Sequence, residues 1–328
     1  MRSTVCTARA PRPIPRRMKP IVRIGARASK LSQAQSRLMQ AQITLALGYP
    51  VERADEVAPL VLITTTGDRI QDRRLMEAGG KGLFTKEIEQ ALFDGEVDVA
   101  IHSLKDVPAE DPEGLTLACF PEREDVRDVI VSLTCQRFED LPPGARLGTA
   151  ALRRQAQALH RRPDLDIVML RGNVDTRLRK LDEGEADAIL LAMSGLKRLG
   201  LEGRVAEAID PFECPPAPGQ GALALQTRSG DAGLDWLKAL DHADTRLCIA
   251  AERGAMMALE GSCRTAIGAH ARIEGGRLAL VVEALTPDGA LRWRREGLAP
   301  ATSEEKARGL GLQLGQAIRD EAGDKLVL

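Results

Sequence analysis

The chain has 328 residues and a formal net charge of −1, because 46 Lys and Arg are balanced by 47 Asp and Glu. Nucleic-acid-binding proteins usually carry a basic excess and aromatic side chains on which bases stack, whereas aromatic residues make up only 2% here. No apolar run approaches the roughly 20 residues that a membrane-spanning helix needs. Composition therefore argues against nucleic acid and membrane as partners, and the length predicts roughly two or three domains.

The N-terminal segment, residues 1–20, contains six basic residues, four prolines and no acidic residue. It lacks the apolar core of a secretory signal. It could be a transit-like segment, a disordered tail, or sequence upstream of a true start at Met18. We favour a disordered extension or the Met18 start, because structural signals begin only at Ile21, and we expect a cytoplasmic protein.

Short apolar runs then alternate with amphipathic segments. The predicted strands are 21–26, 59–65, 97–102, 167–170 and 188–192. The predicted helices are 31–47, 84–93, 152–161 and 174–181. This alternation of strand and helix predicts α/β layers with a mostly parallel sheet.

After about residue 240 the pattern changes from α/β to α+β. A helix over 243–259 is predicted to end at Gly261, a suitable C-terminal capping residue. Three strands follow at 266–273, 278–285 and 291–295, and a last helix covers 303–321. These elements predict a small α+β domain at the end of the chain.

Polar residues follow the apolar strand over 97–102. Because ligands of α/β sheets bind beyond the carboxyl ends of strands, Asp106 lies where a catalytic carboxylate would be expected. A solvated loop carboxylate is the alternative for Asp106, and Lys105 beside it is equally ordinary in isolation. His102 is more often a structural histidine than a base.

Two arginines lie at the predicted start of the helix over 152–161. Thr149 is a suitable N-cap, so Arg153 and Arg154 would occupy the first turns, where cations oppose the helix dipole. A bound anion would compensate this cost by accepting from backbone N–H groups and guanidinium forks together. The alternative is a solvated basic face.

The same arrangement recurs in residues 171–177. Asn173 is the predicted N-cap, and Arg171 and Arg177 lie on either side of the helix start. Two such helix starts in one α/β half favour a ligand with several carboxylates or phosphates. The glycine-rich run around Lys81 could also approach an anion, although it lacks the spacing of a P-loop.

The six cysteines are scattered, without a CxxC pair or a histidine at metal-ligand spacing. Neither a metal site nor a disulfide framework is therefore predicted. Cys263 differs from the others because it lies in a loop past a helix end beside Arg264, which favours the reactive thiolate. Such a thiol could serve as a covalent attachment point, with a structural thiol as the alternative.

Taken together, these segments resemble the porphobilinogen deaminase family. The matching blocks are RASKL (27–31), GGKGLF (79–84), HSLKDVP (102–108), GTAALRRQ (148–155), RGNV-TRL (171–178), LKRLGL (196–201), PAPGQGAL (216–223) and LEGSC (259–263). They follow the family's order and spacing and cover about residues 21 to 268. The last sixty or so residues match in pattern more than in motif.

The resemblance implies an α/β fold with two lobes like those of periplasmic binding proteins, a cleft between them, and a small α+β C-terminal domain. After the disordered extension (1–20), domain 1 would comprise 21–122 plus 218–238. Domain 2 would comprise 123–217. Domain 3, over 239–328, would carry the cofactor cysteine.

The resemblance also implies a function, that of a hydroxymethylbilane synthase. Four porphobilinogen molecules would be condensed, with loss of ammonia, onto a dipyrromethane primer held by Cys263 as a thioether, and the linear tetrapyrrole would be released by hydrolysis. Asp106 would bond pyrrole N–H groups and stabilise the cationic azafulvene formed as ammonia leaves. The implied cofactor- and substrate-binding residues are Arg27, Ser29, Lys81, Phe84, Ser103, Lys105, Thr149, Arg153, Arg154, Arg171, Gly172 and Arg177. The enzyme would act as a monomer on this small-molecule substrate, without a metal.

The sequence departs from the family pattern at a few positions. Ala150 and Ala151 replace two serines, so two hydroxyl donors to cofactor carboxylates are missing. Ser262 replaces a glycine before the cysteine, and Ala266 replaces a proline after it. These changes bear on loop rigidity and cofactor affinity rather than on the reaction.

Two other functions are compatible with parts of the pattern. A non-catalytic two-lobed polycarboxylate-binding protein would use the same arginines but would have no need for Cys263. A cysteine-dependent transferase of another kind would use Cys263 as its turnover nucleophile, and the thiol would then be free for alkylation in the resting enzyme.

Overall fold

The computed structural model describes residues 21–70, 82–259 and 266–326. The predicted N-terminal extension and two predicted site residues, Lys81 and Cys263, lie outside these ranges, as does the predicted capping residue Gly261. Within them, no helix is long and apolar enough to cross a membrane.

The described strands, in chain order, are β1 (Ile24–Arg27), β2 (Leu60–Ile63), β3 (Val99–Ser103), β4 (Leu115–Cys119), β5 (Asp128–Ser132), β6 (Arg146–Gly148), β7 (Asp166–Val168), β8 (Ala188–Ala192), β9 (Glu207–Ala208), β10 (Leu223–Arg228), β11 (Ala266–Glu274), β12 (Arg277–Leu285) and β13 (Arg292–Pro300). The described helices are α1 (Lys30–Ala46), α2 (Ala54–Val57), α3 (Thr66–Arg69), α4 (Lys86–Phe93), α5 (Leu152–Arg161), α6 (Val174–Asp182), α7 (Met193–Arg198), α8 (Asp235–Leu240), α9 (Ala243–Ala258) and α10 (Glu304–Ala322).

The first lobe is built on a sheet with the strand order β2-β1-β3-β10-β4. Strands β1, β2 and β3 are parallel, and β10 runs antiparallel to both β3 and β4. The chain leaves this lobe after β4, builds the second lobe, and returns through β10. Apolar side chains such as Ile24, Ile43 and Leu225 pack together on the face covered by α1 and α8.

The second lobe repeats this arrangement with the order β7-β6-β8-β5-β9. Strands β6, β7 and β8 are parallel, and β5 is antiparallel to both of its neighbours. The two lobes also share an equivalent hydrogen bond. In the second lobe the backbone N–H of Arg146 donates to Asp187 Oδ2 at 2.7 Å, and in the first lobe the backbone N–H of Arg23 donates to Asp98 Oδ2 at 2.8 Å. In each sheet four strands run in one direction and a single strand, β10 or β5, runs the opposite way, which confirms the predicted mostly parallel sheet.

The third part of the chain is an antiparallel sheet, β11-β12-β13, covered by the packed pair α9 and α10. Residues such as Ala255, Leu280 and Ile318 form its core. A Cβ atom at Gly311 of α10 would overlap the carbonyl oxygen of Ala251 in α9, so this glycine permits the close approach of the two helices. The predicted architecture of two α/β lobes and a small α+β domain is confirmed.

Candidate functional site

Asp106 lies at the carboxyl end of β3, in a single 3₁₀ turn formed by Leu104–Asp106. Leu104 is 1% exposed and packs with Val107 and Phe120, while the backbone N–H of Val107 donates to its carbonyl. Burying this leucine fixes the turn. The turn then presents Lys105 and Asp106 to the space between the lobes, the position expected for ligand-binding residues of an α/β sheet.

Arg27, the last residue of β1, faces Asp106. Its Nη1 lies 3.4 Å from Asp106 Oδ2, and its Nη2 donates to Asp68 Oδ1 at 2.6 Å. Its guanidinium lies 4.0 Å above the centre of the Phe84 ring. Although burial opposes ionisation of Asp68, the bonds and charge of Arg27 keep the pKa of this carboxyl below its usual value. Asp68 and Phe84 thus hold Arg27 beside the predicted catalytic carboxylate.

The two serines predicted to bind ligand also fix α1 in place. Ser29 is the N-cap of this helix, and its Oγ accepts from the backbone N–H of Ser32 at 3.3 Å. Ser103 Oγ donates to Oε1 of the buried Gln35 at 3.0 Å. The start of α1 is therefore anchored to the ends of β1 and β3, beside Asp106.

Lys105 is accessible to solvent in the cleft, and its Nζ lies 3.3 Å from Gln220 Oε1. The protein walls displace much of the water around the ammonium group, and the positive charge of Arg154 repels it. These two effects lower the pKa of Lys105 to about 8. The ammonium group is thus placed where an additional anion would stabilise it.

Arg153 and Arg154 lie at the start of α5 and are almost fully buried, at 7% and 6% exposure. Both are paired with the carboxylate of Asp128, at 2.6 Å and 2.8 Å. The N-cap of α5 is Ala151 rather than the predicted Thr149, whose Oγ1 accepts from the backbone N–H of Ala151. The sequence thus predicts the position of the arginine pair but not its protein counter-ion.

Arg171 and Arg177 flank the start of α6, where Asn173 is the N-cap as predicted, although its side chain makes no capping bond. Arg177 Nε donates to the carbonyl oxygen of Gly172 at 2.7 Å. Arg171 Nη2 reaches from the second lobe to the carbonyl oxygen of Ile70 in the first, at 3.1 Å.

The guanidinium of Arg177 is a second cation in an unfavourable environment. Burial, together with the positive charges of Arg154 and Arg171, lowers the pKa of Arg177 to about 10. Several cations therefore repel one another in a partly desolvated cleft. Such a site favours a ligand that brings several negative charges.

His102 is a structural residue, as the sequence favours. It is buried, and its Nε2 lies 3.0 Å from Gln226 Oε1 in β10. Burial lowers the pKa of this imidazole to about 4, so the ring is neutral at physiological pH. Its bond ties β3 to β10 at the base of the site.

A cavity of about 210 Å³ opens elsewhere, between α5 and the third domain. Arg161, Cys214 and Arg292 are among its lining residues. Arg161 is paired with Glu139 and Arg292 with Glu283, so its cations are already neutralised. None of the predicted site residues lines this cavity, which therefore lies apart from the candidate site at Asp106.

Four residues around the site were not predicted: Gln35, Asp68, Asp128 and Gln220. Asp128 and Gln220 are paired, since Gln220 Nε2 donates to Asp128 Oδ1 at 2.9 Å, although 92 positions separate them. Gln220 lies within the matching block 216–223, whereas the one sequence signal of Asp128 is that it directly precedes an apolar run, a pattern too common to be selected without the fold.

Comparisons with known proteins agree with this geometry. The family model "Porphobilinogen deaminase, dipyromethane cofactor binding domain" matches residues 22–235, and "Porphobilinogen deaminase, C-terminal domain" matches residues 246–320. Together these matches span most of the chain. The protein belongs to the porphobilinogen deaminase family.

Curated relatives support this assignment. Porphobilinogen deaminase from Caulobacter vibrioides strain NA1000 is 63% identical over 317 residues, covering 94% of this chain and 98% of its own length. The protein of the same name from Phenylobacterium zucineum is 62% identical over 317 residues, covering 94% of this chain and 99% of its own length. Hydroxymethylbilane synthase activity is therefore favoured over a non-catalytic polycarboxylate-binding function, and the expected dipyrromethane cofactor is confirmed at the level of the matched domain.

The similarity to solved structures is more distant. A periplasmic substrate-binding protein of an ABC transporter from Coxiella burnetii is 16% identical, with a TM-score of 0.42, covering 67% of this chain and 89% of its own. A nutrient-binding protein from Burkholderia cenocepacia is 14% identical, with a TM-score of 0.41, covering 67% of this chain and 90% of its own.

Proposed function

We propose that porphobilinogen units are condensed in the cleft at Asp106, with Asp106 as the catalytic carboxylate and Cys263 as the attachment point of the dipyrromethane. The observation that carries this proposal is one carboxylate, held by Arg27, that faces a cleft lined by several cations, of which Lys105 and Arg177 have lowered pKa values. This arrangement suits a polyanion that binds around Asp106, because the carboxylates of Asp68 and Asp128 are already paired with arginines.

Asp106 would act on the positive charge that develops as ammonia leaves porphobilinogen. Its carboxylate is 29% exposed and can accept pyrrole N–H groups while keeping its bond to Arg27. In a cleft with little water, a carboxylate already in place stabilises a developing cation more strongly than solvent does. It could also hold the proton of the departing amine.

The cations of the cleft would bind the acetate and propionate carboxylates. Arg177 is the clearest candidate, because neither of its Nη atoms bonds to any described residue. Each added pyrrole brings two carboxylates and no cation once ammonia is lost, so a growing chain needs local positive charge even in a protein of net charge −1. The other proposed binding residues are Arg27, Ser29, Lys81, Phe84, Ser103, Lys105, Thr149, Arg153, Arg154, Arg171 and Gly172.

The repelling cations of the cleft fit a dipyrromethane, whose carboxylates would relieve their repulsion. When bound to Cys263, this group supplies the primer to which the first pyrrole is added. The residues around it would orient carboxylates and exclude water. We further propose that the protein is a monomeric cytoplasmic transferase that acts on a small-molecule substrate, without nucleic acid or membrane; the near-zero net charge and low aromatic content support this.

Two measurements test the proposal. The intact mass of the purified protein should exceed that of the bare chain by a dipyrromethane, and Cys263→Ser should remove the excess while the protein stays folded. An unmodified mass for the parent would contradict the attachment.

Asp106→Asn keeps the side-chain size but removes the charge. In cofactor-bearing protein we expect kcat to fall about 10²–10³-fold, since one pre-organised electrostatic contact is worth about 3–4 kcal/mol. Arg177→Leu should instead raise KM, because it removes binding common to ground and transition states. Turnover by Asp106→Asn within a few-fold of the parent would exclude Asp106 as the catalytic carboxylate.

A further inference from the structure

Asp128 is a buried carboxylate that touches neither the proposed catalytic residue nor open solvent. It begins β5, where the chain enters the second lobe, and its side chain is 3% exposed. Oδ2 accepts from Arg153 Nη1 at 2.6 Å. Oδ1 accepts from Arg154 Nε and Nη2 at 3.1 Å and 2.8 Å, and from Gln220 Nε2 at 2.9 Å.

These bonds fix the orientation of the Arg154 guanidinium. Its Nη1 donates to the carbonyl oxygen of Leu190 at 3.1 Å, and its Nη2 also lies 3.5 Å from Gln220 Oε1. All three guanidinium nitrogens therefore have acceptors. A planar guanidinium held by a carboxylate on one edge loses its rotational freedom, so its charge has one position relative to the cleft.

Asp128 also fixes the side-chain amide of Gln220. Because the NH₂ group donates to Asp128 Oδ1 and to the carbonyl oxygen of Val126 at 2.7 Å, the oxygen of the amide points towards Lys105. Lys105 belongs to the first lobe and Arg154 to the second, and both meet this one oxygen. The carboxylate thus connects cations of both lobes across the junction.

The charges of this cluster do not cancel. Arg153 and Arg154 contribute two positive charges and Asp128 one negative charge, so one positive charge remains in a region almost closed to water. Arg153 Nε and Nη2 make no hydrogen bond to the part of the chain that the structure describes. An anionic ligand would balance the remaining charge, whereas removing Asp128 would leave two unbalanced cations.

We propose that Asp128 is a positioning residue, which orients Arg154 and Gln220 at the junction of the lobes and thereby sets the arrangement of cleft cations that meet the substrate carboxylates. This inference rests on the proposed function, because its kinetic readout is the consumption of porphobilinogen. A residue that merely stabilised the fold would lower the melting temperature without changing KM.

The test compares Asp128→Asn with Asp241→Asn in cofactor-bearing protein. Asp241 is a suitable control because its carboxylate also holds an arginine, Arg246, through two bonds and accepts a backbone N–H from Phe120, away from the cleft. Loss of a charge-assisted contact predicts that Asp128→Asn raises KM about ten- to hundredfold, with a smaller change in kcat. The control should keep KM within about twofold. A KM for Asp128→Asn within about twofold of the parent would overturn the proposal.

A second readout does not depend on turnover. Millimolar citrate should raise the melting temperature of Asp128→Asn by at least about 3 °C more than that of the parent or of Asp241→Asn, since an anion would bind the unbalanced arginines of the folded state. Equal shifts in all three proteins would contradict the charge argument. If the parent carries no dipyrromethane, the proposed function fails while this measurement still tests Asp128.

If Asp128→Asn does not fold, a double variant that combines Asp128→Asn with Arg153→Gln provides the test. The double variant again leaves one positive charge in the cluster, so we expect it to fold. Its KM should exceed that of Arg153→Gln alone about tenfold, because Arg154 has still lost its orienting carboxylate. Equal KM values for the double and single variants would overturn the proposal.

Discussion

Glu252 in α9 is the residue whose replacement we expect to destabilise the protein most. It is fully buried, and its two carboxylate oxygens accept four hydrogen bonds. Oε1 accepts from Arg123 Nη1 at 2.7 Å and from the backbone N–H of Ala271 at 2.8 Å. Oε2 accepts from Arg123 Nη2 at 2.9 Å and from the backbone N–H of Gly219 at 2.7 Å. One side chain thus joins the third domain to both segments that connect the lobes.

The size of the effect follows from this geometry. In Glu252→Gln an NH₂ group replaces one oxygen, and in either orientation it meets two donors, so two of the four bonds are lost. Arg123, which is 9% exposed, also loses its counter-ion. Breaking a buried ion pair from one side costs about 3–5 kcal/mol. For a chain of 328 residues the entropy of unfolding is about 0.7 kcal/mol/K, so we expect the melting temperature to fall by about 4–7 °C.

Calorimetry and urea unfolding monitored by circular dichroism would measure this loss. Asp55→Asn is the control, because the pair of Asp55 with Arg37 is 77% and 60% exposed and should contribute less than about 1 kcal/mol. A loss for Glu252→Gln no larger than that of the control would show that the buried carboxylate is not what holds the domains together.

Three further outcomes are expected. Lys105 must be protonated to bind carboxylates and has a pKa of about 8, so KM for porphobilinogen should rise above pH 8 in the parent. In Lys105→Arg that rise should be absent, because a guanidinium stays charged. If KM depends on pH identically in Lys105→Arg and in the parent, Lys105 does not bind substrate. Gly67→Ala should lower kcat/KM, since the added methyl overlaps the Phe84 ring that supports Arg27, whereas a Cβ at Gly203 meets no atom within 4 Å. Equal kinetics in Gly67→Ala and Gly203→Ala would contradict this prediction. Deletion of residues 1–18 should leave turnover unchanged, because these residues contain no core-forming pattern. A shortened protein that does not fold or turn over substrate would contradict this prediction.

Local periodicity predicts much of the fold. The helix predicted over 152–161 is α5 (Leu152–Arg161), and the strand predicted over 188–192 is β8 (Ala188–Ala192). In contrast, β4, β5, β6, β9 and β10 were not predicted. Strands β6 and β9 have only three and two residues, too few to carry a periodic signal, and the pairing of β10 with β3 depends on residues far away in the sequence. The one antiparallel strand of each sheet, β10 or β5, is among these missed strands.

For the candidate site, too, the sequence predicts some residues and misses others. The motif around Asp106 predicts a polar cluster at a strand end, and the structure places Arg27, Ser103 and Lys105 there. The partners that hold these groups, such as Asp68 and Gln220, come from distant segments. A sequence motif identifies groups that can bind a ligand, whereas their orientation depends on contacts that only the folded chain creates.

The position of β10 between β3 and β4 has a consequence for the order of folding during synthesis. The strands of the second lobe, β5 to β9, lie within one continuous segment and can pair as soon as that segment leaves the ribosome. The first lobe begins nearer the N-terminus, yet β3 and β4 lack their common neighbour until residue 228 has been made. Vectorial synthesis usually lets the N-terminal domain fold first. In this chain the lobe that starts first is completed second, and its unpaired strand edges stay exposed while the other lobe is being made.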